Sequence, residues 1–233
     1  MSENYIEIRG LNKRYQRKKA VTGVDLQLHQ PGMVGLVGPN GSGKSTLLKI
    51  IAGMLRPSSG DVYVMGERTN RMIANKVAYL AEVDSLYDYQ RVRQAVAFFE
   101  KVYPDFSSAK STEMLEELNI DLDDKIKNLS KGNRARVKLA ITLARDVPIL
   151  LLDEPLSGLD PIVREEILKM IIRHTNIHKQ ITFISTHEVA EVEPFLDHIV
   201  FVKQGEILLS ENVETIREER GQSVVEAMRE VLQ

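Results

Sequence analysis

The sequence predicts an α/β protein: a mostly parallel sheet held between helices, with a small antiparallel β region at the N-terminal side and a helical insert in the middle. Three patterns carry that expectation. A glycine-rich loop at residues 38–46 lies between an apolar run at 33–37 and a helically spaced set, Leu47, Leu48, Ile50, Ile51 and Leu55. A second apolar run, Ile149, Leu150, Leu151 and Leu152, shows no alternation, as a strand buried on both faces does not. Helical periodicities separate such strands, and alternating strands and helices imply a parallel sheet covered on both faces.

In order, residues 4–28 read as two strands. Residues 5–9 form the first; Val24, Leu26 and Leu28 alternate with Asp25 and Gln27 in the second. The LNKRYQRKKAVTG segment between them is basic and turn-like. Its Tyr15 is either a half-buried tyrosine on a charged edge or a flat ring on which a purine stacks. Past the glycine-rich loop, residues 57–60 make a turn, Val62 and Val64 mark a strand, and residues 76–82 another. Residues 91–128 read as helical throughout, with Val92, Ala95, Val96 and Phe99 on one face, a break at Pro104 and a cap at Ser107 or Ser108. The Phe98–Phe99 pair is expected in the core. A helix follows residue 133, with Val137, Ala140, Ile141 and Ala144 inward and Arg134, Arg136 and Lys138 turned away. Residues 157–160 form a loop, 163–179 a helix with Ile167, Met170 and Ile171 inward, and 181–187 a strand. A hairpin turns at Gln204–Gly205, and polar residues 212–233 end the chain in one or two helices. The expected layout is one domain over 1–233: an α/β core from 1–82 and 133–211, a helical insert at 83–132 and a short tail at 212–233.

Composition narrows the function classes. The chain has 233 residues, 43% hydrophobic and 27% charged, with a net charge of −2, which does not predict a nucleic-acid partner. It has no cysteine, so neither a disulfide nor a thiolate metal site is available. The chain has no run of 18 apolar residues, about the length needed to span a bilayer. MSENYIEIRG lacks the basic cap and apolar core of a signal peptide.

The loop GPNGSGKST fits G-x-x-x-x-G-K-[ST], the phosphate-binding pattern, in the strand–loop–helix setting it needs. Gly38, Gly41 and Gly43 let the backbone bring N–H groups to an anion, while Pro39, Asn40 and Ser42 fill the positions between. The helix N-terminus adds partial positive charge. Lys44 supplies a point charge for β- and γ-phosphates, Ser45 a hydroxyl for Mg²⁺ and Thr46 a further donor. A phosphate-loop NTPase core also needs an acidic residue at the end of an apolar strand to hold Mg²⁺, and Asp153 fits. Glu154 beside it is free to act as general base on a water. His187 ends another strand, as a structural residue or as a member of the same site.

Together these residues resemble the ATP-binding cassette subunits of ABC transporters over nearly the whole chain. GPNGSGKST is similar to their Walker A loop, ILLLDEP to Walker B with the catalytic glutamate, Ser157–Asp160 to the D-loop and residues 185–188 to the switch-histidine segment. Tyr15 falls where the family stacks adenine. The resemblance implies two cassettes, copies or relatives, meeting head to tail around two ATP. Each site then joins one Walker A loop to the partner's signature, here Leu129, Ser130, Lys131, Gly132 and Asn133. Lys131 and Asn133 replace Gly and Gln of the common signature. Asp160 would link the two sites. Aligning Tyr79, Leu80 and Ala81 puts Glu82 where the family has a glutamine touching Mg²⁺ and the attacking water; Gln90 takes that place only if the loop shifts.

The resemblance further implies ATP hydrolysis with Mg²⁺, a separate integral membrane subunit, and a cytoplasmic cassette held peripherally on the inner membrane face. LSKGN and the VYPDF stretch look most like cassettes of bacterial drug and antibiotic exporters. The short tail differs from the long regulatory domain on many sugar-import cassettes. A soluble cassette working on ribosomes or DNA is the alternative; such relatives carry two cassettes or a long coiled-coil insert. A phosphate-loop kinase or GTPase needs neither signature nor switch histidine, and no N-K-x-D guanine-reading segment is apparent.

Overall fold

The computed structural model describes residues 4–232; residues 1–3, the start of the segment read above as lacking a signal peptide, and residue 233, the last of the tail, lie outside the described residues. The chain opens with a long hairpin, β1 (Ile6–Tyr15) and β2 (Lys18–Leu28). Then come β3 (Gly32–Val37), α1 (Lys44–Ile51), β4 (Ser59–Val64), the two-residue β5 (Glu67–Arg68) and β6 (Val77–Leu80). The insert carries α2 (Val92–Val102) and α3 (Ser108–Glu117). The core resumes with α4 (Lys131–Leu143), β7 (Ile149–Asp153), α5 (Pro161–His174) and β8 (Ile181–Thr186). A short α6 (Val189–Val192), the β9 (His198–Lys203) and β10 (Glu206–Asn212) hairpin, α7 (Val213–Glu219) and α8 (Val224–Leu232) complete it.

Two sheets result. A four-stranded antiparallel sheet has the order β2-β1-β4-β5, and a six-stranded sheet the order β10-β9-β3-β8-β7-β6, parallel except for β10. Every residue of β3, β7 and β8 is buried. Their side chains obey the period of two. Met33, Val37, Leu150, Leu152 and Ile184 face a core shared with α2 to α5. Val34, Leu36, Leu151 and Phe183 face a second core shared with α1 and the antiparallel sheet.

Several local expectations change. The LNKRYQRKKAVTG segment is strand, paired Lys13 with Val21 and Tyr15 with Lys18; only Gln16 and Arg17 turn, Gln16 at φ 50°. Long charged side chains sit on this outer hairpin because their aliphatic stems cover it while the charges stay in water. Residues 91–128 are not helical throughout: Asn119, at φ 56°, ends α3 in the left-handed region, and only Ile126–Asn128 coil again, as one 3₁₀ turn. Of the aromatic pair, Phe99 packs on the core, but Phe98 is 43% exposed. The helix after residue 163 stops at His174, before Lys179, where Thr175 turns extended. The charged side of α4 does not face solvent. Arg134 pairs with Asp84 and Asp88, Arg136 with Glu166, and Lys138 with backbone carbonyls.

Candidate nucleotide site

The phosphate loop joins β3 to α1. Gly43, at φ 113°, precedes α1, whose N-terminus has no side-chain cap, so its first amides stay open for an anion. A Cβ at Gly43 would lie 2.4 Å from the Ala20 carbonyl oxygen, so strand β2 presses the loop as closely as a glycine allows. Lys44 is buried and folds back over the loop. Its Nζ donates to the carbonyls of Gly38 at 2.7 Å and Pro39 at 3.3 Å and lies 3.1 Å from Glu154 Oε1.

Strands β7 and β8 bring the acidic pair under the loop. Asp153 Oδ1 accepts from Ser45 Oγ at 3.0 Å and Ser185 Oγ at 2.8 Å, and Oδ2 accepts from the Tyr79 hydroxyl at 2.8 Å. Burial, then the Asp153 charge, pushes the Tyr79 pKa far above its ordinary value, so the phenol stays a donor. Glu154 stands at φ 48°, a left-handed conformation that turns its side chain away from the strand line. Its N–H donates to Ser185 Oγ at 2.9 Å, and its Oε2 is 3.0 Å from His187 Nδ1. Its buried Oε1 makes no aligned hydrogen bond and is met by the Lys44 ammonium at 3.1 Å.

A cleft of about 350 Å³ spans these groups, lined by Tyr15, Lys18, residues 40–46, Glu82, Glu154 and Ser157. Pro39 contributes its carbonyl to Lys44 rather than lining the cleft. Lys13 Nζ sits 5.3 Å from the Tyr15 ring centroid, a cation over a π face. The expected signature residues lie elsewhere. Ser130 caps α4 by accepting from the Asn133 amide at 3.2 Å, Leu129 packs on the core, and Gly132 lets α4 approach Val163 of α5. Lys131 is exposed, with its ammonium beside Gly158. Asp160 caps α5 through the Val163 amide at 3.1 Å. Among the described residues, none of Leu129, Ser130, Lys131, Gly132 or Asn133 lines the cleft of its own chain.

The structure adds Tyr79, Ser185 and Lys18 to the site. For Tyr79 the available signal is a polar tip inside the otherwise apolar strand VAYL; Ser185 is one of three hydroxyl residues in ITFIST and does not stand out. Lys18 offers none, being one of several cations on its hairpin.

Residues 21–157, more than half of the chain, match the family model described as ABC transporter. The chain belongs to the ABC transporter family. This cassette places a phosphate loop, an acidic strand end and a histidine together. It is 33% identical to an uncharacterized ABC transporter ATP-binding protein of Nostoc sp., over 86% of this chain and 62% of that one. It is 35% identical to the sulfate/thiosulfate import ATP-binding protein of Thermosynechococcus vestitus, over 87% of this chain and 62% of that one. The cassette therefore spans less than two thirds of the length of both relatives. A solved dimeric ATP-binding cassette in a post-hydrolysis state, bound to ADP and Pi, superposes with a TM-score of 0.76 at 25% identity, covering 89% of this chain and 98% of that one.

The donor set suits Mg²⁺. Ser45, which lines the cleft, and the buried Asp153 that it bonds offer hard oxygens, and the described residues hold no cluster of three His, Cys, Asp or Glu that would cage a metal alone. Mg²⁺ characteristically takes one or two protein oxygens and completes its shell from phosphate and water. Among the described residues, no helix is long and apolar enough to cross a membrane.

Proposed function

We propose that the chain is the ATP-binding and ATP-hydrolysing cassette of a transporter, closing head to tail with a second copy or a related cassette around two ATP to drive an integral membrane subunit. In this reading residues 1–233 act as one cassette, peripheral on the cytoplasmic face of the membrane. One observation carries it: Glu154, held between Lys44 and His187, stands directly beside Asp153, which bonds Ser45 of the phosphate loop.

The residues divide the work as follows. Tyr15 stacks the adenine, and the amides of 40–46 with Lys44 hold the phosphates. Ser45 and Asp153, with Glu82 beside them, would hold Mg²⁺, which would supply positive charge to the triphosphate. Glu154 accepts the proton of a water as its oxygen bonds to the γ-phosphorus and the bond to ADP breaks. His187 orients Glu154 and the γ-phosphate. Ser130 and the α4 N-terminus of the second cassette complete the anion site, with Asp160 at the junction. LSKGN and VYPDF support a lean towards export, whereas the Thermosynechococcus relative is an import protein by name.

Glu154→Gln tests the reading. It keeps the side-chain volume and removes the base, so ATP binds uncleaved and the dimer accumulates with ATP and Mg²⁺ in light scattering. A variant that stays monomeric and hydrolyses ATP at the wild-type rate contradicts the assignment.

A further inference from the structure

Glu82 lies in a loop, residues 81–90, that forms neither helix nor strand and whose local bonds, Leu86 to Asp84 and Gln90 to Tyr87, lie beyond Glu82. What holds it is a cation on another element. Lys138 stands two turns into α4, the helix that Ser130 caps, and reaches back under β6. Its Nζ donates to the Ala81 carbonyl at 2.6 Å and the Val83 carbonyl at 2.8 Å, with the Glu82 carbonyl at 3.4 Å. An ammonium has three donors, and here they meet three successive carbonyls. One turn earlier, Arg134 pairs with Asp84 and Asp88 of the same loop.

The grip lies next to the chemistry. Glu82 and Glu154 border both the nucleotide cleft and a smaller cavity of about 150 Å³ that Lys138 also lines. Burial lowers the Lys138 pKa, while the charges of Asp84 and Glu82 oppose that shift, which places the Glu82 carboxylate within electrostatic reach of the ammonium.

We infer that Lys138 is a positioning residue for Glu82: by pinning the carbonyls on either side, it keeps that carboxylate in the nucleotide cleft. The inference rests on the ATPase reading above. Lys138 touches no nucleotide itself. A methionine there keeps the length and apolar stem but offers no donor, so the loop detaches and Glu82 leaves the cleft. An arginine restores donors to the same carbonyls.

The test compares wild type, Lys138→Met, Lys138→Arg, Glu82→Gln and the double variant Glu82→Gln/Lys138→Met. ATP affinity is measured by calorimetry across a Mg²⁺ titration, together with amide exchange of residues 81–90 in the nucleotide-free protein. Lys138→Met is expected to speed exchange in the loop and to move the Mg²⁺ midpoint in the direction of Glu82→Gln, by about threefold or more. Added to Glu82→Gln it moves the midpoint no further, and Lys138→Arg behaves as wild type. An unmoved midpoint in folded Lys138→Met, or additive shifts in the double variant, overturns the inference and leaves the ATPase reading intact. Wild-type protein that binds no ATP overturns both. Should Lys138→Met fail to fold, Lys138→Gln takes its place in the same cycle.

Discussion

Lys44 and Glu154 form an ion pair, 3.1 Å apart, with only 5% and 7% of their side chains exposed. The loop's cation thus rests on the carboxylate proposed as base. In the proposed function, bound ATP would draw Lys44 to its β- and γ-oxygens and release the carboxylate for water.

Lys44→Ala removes one member of this pair and leaves the other buried alone. Breaking a buried pair costs about 3–5 kcal/mol, which lowers Tm by roughly 10 °C for a chain of this size. Nucleotide affinity and turnover fall with it. Calorimetry and thermal melting read both effects; wild-type ATP affinity would remove Lys44 from the phosphate site.

The signature can be separated from the chain's own cleft. Ser130→Arg sets a bulky cation where the partner's γ-phosphate docks; Ser130→Asp retains the helix cap but repels the phosphate. Both variants are expected to bind ATP as monomers and to fail in dimerisation and hydrolysis. Weakened ATP binding in the monomer would show that residues 129–133 serve their own chain.

Tyr15 ends β1 with its ring 45% exposed and one face covered by Lys13. Aromatic stacking on a base contributes about 1–3 kcal/mol, so Tyr15→Ala weakens ATP about tenfold or more while the melting temperature holds. Equal affinity in the two proteins, measured by titration calorimetry, would take the ring out of the nucleotide site.

His198 supplies a pH dependence outside the cleft. Burial lowers its pKa below the ordinary 6.5, and its Nε2 lies 2.9 Å from Ser210 Oγ. The unfolded chain therefore takes up a proton that the fold resists. Stability falls as pH drops from 6.5 to the lowered folded value, then levels off. His198→Gln is expected to flatten that slope in denaturant titrations; an unchanged slope assigns it to another group.

The strands, the phosphate loop and the acidic pair were legible because each is a local pattern. An apolar run announces burial, and glycines with lysine and serine announce phosphate. The hairpin around Tyr15 was not, since its charged residues mimic a turn and only pairing across the strands makes them sheet. Lys138 read as a solvent-facing cation because helical spacing gives its direction but not what waits there. The carbonyls of Ala81 and Val83 arrive from more than fifty residues away. Tyr79 and Ser185 gain meaning only once β6 and β8 flank β7.

Strand order also governs how the protein is made. β3, which leads into the phosphate loop, pairs only with β8 and β9, through partners such as Gly32 with Ile181 and Val37 with Phe201. A chain leaving the ribosome therefore exposes the apolar GMVGLV segment long before its neighbours exist. Such distant pairings fold slowly and leave sticky surface meanwhile.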